Sequence, residues 1–124
     1  MGYRSEVVLA VSKEVMPQFL VTMAKSPETR LLCFQEHEEM IKDYQGKGNI
    51  LFRWTYIKWY ESYEPIEALT DFMDWCDSEE IKDEEGEPKR TEDFYRFVRV
   101  GEDNSDIVER GHGFEIYTQT SVSY

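Results

Sequence analysis

The longest unbroken run of β-branched and aromatic positions is Asn49 to Tyr60, N-I-L-F-R-W-T-Y-I-K-W-Y. Such residues suit a pleated, half-buried surface, and side chains alternate across a strand. One face then carries Ile50, Phe52, Trp54 and Tyr56, the other Leu51, Arg53, Thr55, Ile57 and Trp59. Apolar bulk on both faces predicts a central strand, and Arg53 predicts that the second face is only partly covered. Ser5 to Val11 alternates similarly, with Val7, Leu9 and Val11 on one side and Arg4, Glu6 and Val8 on the other. Phe94 to Val100 and Phe114 to Thr120 are the remaining strand candidates. Glu39 to Gln45, followed by Gly46-Lys47-Gly48, predicts a hairpin into the central strand; the rival is a helix through Tyr44.

Helical spacing governs the segments between. Ser12 and Glu14 suit a helix start, but Pro17 removes a ladder bond, which moves the predicted start to about Met16. Phe19, Leu20, Met23 and Ala24 make its apolar stripe. Ser26-Pro27-Glu28 is a second N-cap signal, continued by Leu31, Leu32 and Phe34. Glu64-Pro65 opens another helix, whose apolar face is Ile66, Leu69, Phe72, Met73 and Cys76. Ser78 to Asp93 is polar, acidic and broken by Gly86 and Pro88, so it reads as a mobile loop. Gly101 to Ser105 and then Gly111 and Gly113 turn the chain. The order strand, helix, strand, strand, helix, strand, strand predicts a single α+β domain over residues 1–124. It is the ferredoxin-like arrangement, an antiparallel sheet with helices on one face and one added strand. The other face is expected to be open or to bind something.

Charge changes this picture most. The net charge is -12, and residues 1–60 hold eight Lys/Arg against seven Asp/Glu. Residues 61–124 hold six against nineteen. Glu61 to Asp93 alone has fourteen acids against Lys82, Lys89 and Arg90. Such a field repels nucleic acid and membrane surfaces and attracts basic ones. No apolar run reaches the 18 residues of a membrane span, and Met1 to Val11 lacks the order of a signal peptide. Two cysteines, Cys33 and Cys76, without metal-type spacing predict reduced, buried thiols.

No motif for nucleophilic, nucleotide-binding or redox chemistry is present. His37 lies four residues after Cys33, but a metal site would need two further ligands. His112 lies between two glycines in a loop, and Gly101 to Asp106 does not have calcium-loop spacing. The expectation is a non-enzyme without metal or cofactor.

Two constellations remain. Glu67, Asp71, Asp74 and Asp77 recur every three or four residues, placing neighbouring Cβ atoms ~5–6 Å apart on one helix face. Phosphates along one DNA strand are similarly spaced, so this row, extended by Glu79, Glu80, Asp83 and Glu84, can imitate a nucleic-acid backbone toward a protein that binds one. The plainer reading is a solvated face. The second constellation is Arg4, Arg53, Arg96 and Arg99 beside aromatics such as Trp59. Guanidinium groups bind phosphate bidentately and rings stack on bases, which would suit a small nucleotide. The plainer reading pairs these arginines with Glu6, Glu102, Asp103 and Asp106.

The opening Met1-Gly2-Tyr3-Arg4-Ser5-Glu6-Val7, the stretch Ile57-Lys58-Trp59-Tyr60, and Phe97-Val98-Arg99-Val100-Gly101-Glu102-Asp103 with Asp106-Ile107 resemble small bacteriophage and prophage proteins. The resemblance implies a phage origin and the bacterial cytoplasm, but no activity and no catalytic residues. The expectation is a phage-borne binding protein acting on a host bacterial protein, an anti-defence inhibitor, through its acidic surface. Its alternatives are sequestration of a nucleotide signal on the arginine face, and a structural accessory role.

Overall fold

The computed structural model describes residues 4–44, 48–60, 62–82, 85–102, 106–114, 117–118 and 122–123. Strand β1, Ser5–Val11, leads through a 3-10 turn at Lys13–Val15 into helix α1, Met16–Lys25. Helix α2, Pro27–Phe34, follows after one residue, because Ser26 caps it: its Oγ accepts from the Thr29 N–H and is hydrogen-bonded to the Thr29 hydroxyl. The hairpin of β2, Glu39–Tyr44, and β3, Asn49–Ile57, comes next, then helix α3, Glu64–Ser78. The short strands β4, Glu80–Lys82, and β5, Pro88–Arg90, pair antiparallel. A second 3-10 turn, Thr91–Phe94, precedes β6, Tyr95–Gly101, and β7, Ile107–Arg110. Two-residue strands at Tyr117–Thr118 and Val122–Ser123 pair with each other.

Strands β2, β3, β1, β6 and β7 form one antiparallel sheet in that spatial order. The chain is therefore α+β. The middle place belongs to β1, not to the aromatic run, which is the inner strand beside it. Val7, Leu9 and Val11 face the helices with Phe52, Trp54, Tyr95 and Phe97, as the alternation of β1 predicts. Phe19, Met23, Leu32 and the five buried residues of α3, Ile66, Leu69, Phe72, Met73 and Cys76, close that core. Ring contacts run across it: Phe19 to Phe72 at 5.3 Å, Phe34 to Phe52 at 5.6 Å and Trp54 to Trp59 at 5.3 Å. The buried Trp54 indole N–H donates to the Leu32 carbonyl at 3.0 Å, so its polar atom carries no burial penalty.

Several expectations are corrected. Val7 faces Trp54 but Ser5 faces Ile57, so between them one residue of β1, Glu6, opposes two of β3. This bulge reverses the alternation, and Ile57 and Trp59 join the helix-side core rather than the face of Leu51 and Arg53. In α1 the buried stripe is Phe19 and Met23, while Leu20 and Ala24 point outward. Leu31 of α2 is also exposed. The acidic stretch from Ser78 is not a plain loop, since it ends α3 and then forms the β4–β5 hairpin and a 3-10 turn. The added strand is β7, not Phe114 to Thr120; four residues were too short to show a period. Of that later stretch the described part forms only Tyr117–Thr118.

The far sheet face is not open at its centre. Val8, Ala10, Leu51 and Val98 are fully buried, with Ile41 and Phe114 packed against them. The strands Tyr117–Thr118 and Val122–Ser123 contact β6 and β1 respectively.

Candidate interaction surface

Helix α3 sorts its residues by face. Ile66, Leu69, Phe72, Met73 and Cys76 are buried, which fixes Glu67, Asp71 and Asp74 on the outer side, all exposed. Its fifteen residues contain no Lys or Arg. Glu64 and Glu67 lie in the first turn, where the helix dipole favours carboxylates. The Thr29 hydroxyl of α2 donates to the Pro65 carbonyl at 3.0 Å, tying down that end.

The other end has a different character. Asp74 and Asp77 lie at the carboxyl end, where the dipole disfavours negative charge. Arg110 of β7 compensates: its Nη2 is 2.8 Å from Asp74 Oδ1 and 2.7 Å from Asp77 Oδ2. Asp77 also accepts from the buried Tyr95 hydroxyl at 2.7 Å. Desolvation lowers the Arg110 pKa, but its bonds to Asp77 and Asp74 outweigh this and leave it raised. Burial, followed by the bond to Asp77, pushes the Tyr95 hydroxyl well above the usual phenol range. The two halves of the expected carboxylate row thus differ. Glu67 and Asp71, joined by Glu64, border a groove; Asp74 and Asp77 share a guanidinium. Arg110 was missed because its strand was missed.

The groove lies between α3 and α1 and encloses about 410 Å³. Glu64, Glu67 and Asp71 line it together with Val21, Ala68 and Phe72, and Lys25 is a cation on its α1 side. Val21 is 41% exposed and the neighbouring Leu20 51%. Apolar surface therefore adjoins the carboxylates. Of the hairpin acids, Glu79 and Glu80 have exposed side chains. The Glu79 carbonyl accepts from both the N–H and the hydroxyl of Thr91, which holds the start of the hairpin. Asp83 and Glu84 lie outside the described residues.

The arginines do not form one site. Arg99 stands opposite Val7 on the helix side, whereas Arg53 and Arg96 stand opposite Val8 and Ala10 on the far side. Arg53 pairs with Glu6 at 3.6 Å, Arg99 with Asp106 at 3.2 Å, and Arg96 with Glu109 at 2.8 Å. The backbone N–H of Arg4 donates to Glu102 at 2.8 Å. Trp59 is buried in the core and stacks toward no surface. Asp103 lies outside the described residues.

His37 Nδ1–H donates to the Cys33 carbonyl at 2.9 Å, which holds the ring to the end of α2. Cys33 and Cys76 are free and buried, and burial pushes both thiols up to about 12. Among the described residues no three His, Cys, Asp or Glu are grouped to hold a metal, and no helix is long and apolar enough to cross a membrane. Comparison with known proteins finds no matching family model, curated protein or solved structure.

Proposed function

We propose that this chain is a phage-borne, non-enzymatic binding domain that acts in the bacterial cytoplasm on a host protein with a basic face, as an anti-defence inhibitor. The fold in this reading is the ferredoxin-like one with β7 added. The spatial order β2-β3-β1-β6, with helices between β1 and β2 and between β3 and β6, supports it.

The observation that carries the functional reading is the exposed trio Glu64, Glu67 and Asp71 beside the apolar groove. Buried side chains hold their helix in place, so little ordering entropy is lost when a partner docks. Apolar contacts at Val21 and Leu20 would supply affinity, and the carboxylates steering and selectivity. In this reading the nucleic-acid-mimicking part of the surface centres on this trio, because Arg110 offsets Asp74 and Asp77. A nucleotide site made from the arginines is not favoured, since they are divided between two faces and held by carboxylates.

The test begins with capture of a partner from bacterial lysate on the immobilised protein. The purified partner is then titrated by surface plasmon resonance at two salt concentrations. The variant Glu64→Gln/Glu67→Gln/Asp71→Asn should bind at least about tenfold more weakly and with a flatter salt dependence. A control neutralising Glu28, Glu36 and Glu38, all exposed, removes the same charge elsewhere. Equal losses in the two variants would reduce the effect to net charge and overturn the assignment of the site.

A further inference from the structure

A second cleft, remote in composition from the acidic trio, opens between the β4–β5 hairpin and the Lys13–Val15 turn. It encloses about 610 Å³, within the usual range of small-ligand sites of about 300–1,000 Å³. Three of the chain's seven lysines line it: Lys13, Lys82 and Lys89. Ile81 and Phe94, both half-buried, give it apolar walls. Among the described residues, two carboxylates, Glu14 and Glu85, also border it, so the three lysines outnumber them there. Glu14 accepts a hydrogen bond from the Ser12 hydroxyl.

The concentration of cations runs against the rest of the molecule. Glu61 to Asp93 has three basic residues among fourteen acids, and two of those three line this cleft. The third cation comes from the other half of the chain, and the fold holds its backbone. The Lys13 N–H donates to Asn49 Oδ1 at 3.1 Å, and the Ser12 N–H donates to the Phe94 carbonyl at 2.9 Å, which joins the two 3-10 turns. Ile81 and Lys89 are cross-strand partners in the hairpin, so an apolar and a cationic side chain are presented side by side. Beyond Lys13 and Phe94 a smaller cleft of about 290 Å³ continues toward Asn49 and Phe114.

We propose that this cleft binds a small organic anion with a planar apolar body. The anionic group would meet Lys13 and Lys89, with Lys82 at the border of the cleft, and the body would lie against Ile81 and Phe94. Nucleoside monophosphates and aromatic carboxylates both have this chemistry. The site uses none of the α3 carboxylates and stands apart from the protein-binding reading. A protein of charge -12 repels anions generally, so saturable anion binding points to a local cationic site.

The experiment is a fluorescence titration with anilinonaphthalene sulfonate, a planar apolar anion, and with neutral N-phenylnaphthylamine, which has the same rings. Saturable one-to-one binding of the sulfonate is expected. Lys82→Gln/Lys89→Gln should weaken it about tenfold while leaving the neutral dye unchanged. Lys42→Gln/Lys58→Gln, which removes the same charge from positions that line neither this cleft nor the α1–α3 groove, should leave both dyes unchanged. Adenosine monophosphate and salicylate are then added as competitors, and displacement by either identifies the ligand class. Non-saturable binding, equal weakening by both lysine pairs, equal loss of both dyes in the Lys82/Lys89 variant, or displacement by neither competitor would each overturn the proposal. Circular dichroism of the variants establishes that any loss is not unfolding.

Discussion

Asp77 sits where a carboxylate is least welcome, at the last turn of a helix and against a buried phenol. Its two partners explain why it is tolerated. Tyr95 supplies a hydroxyl from the sheet, and Arg110 a charge from the edge strand. Replacing Arg110 by Met keeps the stem and removes both bonds, leaving Asp74 and Asp77 facing each other. The expected loss is about 1–2 kcal/mol after solvent screening, read from urea denaturation. No loss would mean that the contact is incidental. The thiols give a second residue-scale outcome. Cys33 and Cys76 are raised from 9.0 to about 12 by burial. The folded state therefore keeps protons that the unfolded chain releases above about pH 9. Stability from this source is complete below pH 9 and lost as pH rises toward 12. The raised Tyr95 hydroxyl acts in the same direction. The melting temperature should fall from pH 9 to 11, and a flat profile would show the thiols to be solvated.

At the scale of elements, the sequence was most legible where one period ran long enough. The inward face of α3 is the one its 3–4 spacing predicts, and the Ser26-Pro27 break between α1 and α2 is where the capping signal puts it. Leu20 and Ala24 were misplaced because a ten-residue helix packed on one side buries a narrow stripe, and spacing alone does not mark its width. Ile57 and Trp59 were misplaced because a single extra residue inverts alternation, and nothing in T-Y-I announces it. Strand β7 lay hidden between two turns, yet it is closely fitted. Gly111 there has φ +79°, and a Cβ would come within 2.2 Å of the Tyr95 carbonyl oxygen. Gly86 has a similar φ, +81°, but open space around it. Alanine at each position therefore separates backbone strain from collision. Gly86→Ala should cost about 1 kcal/mol. Gly111→Ala should cost distinctly more, because strand β6 would have to shift. Thermal denaturation of the pair decides this, and equal costs would refute the close approach.

Across the whole molecule, the charge asymmetry was legible from counting, but its division into an acidic groove and a lysine-lined cleft was not. Lys13 and Lys89 are 76 positions apart in the sequence, and only the meeting of the two 3-10 turns brings their segments together. The α+β class could be read from element order, while the covered far face depended on the packing of Ile41 and Phe114, which element order does not show. The central place of β1 has a consequence in time. Val8 pairs with Arg53, 45 positions on, and with Val98, 90 positions on. As the chain emerges from the ribosome, the apolar segment V-V-L-A-V gains its first neighbour only after β3 has been made, and its second only after β6. Such distant pairings make folding slow, on the order of milliseconds to seconds. Until β3 and then β6 have emerged, the nascent protein carries this apolar strand without its neighbours, which makes it a natural site for a chaperone to hold.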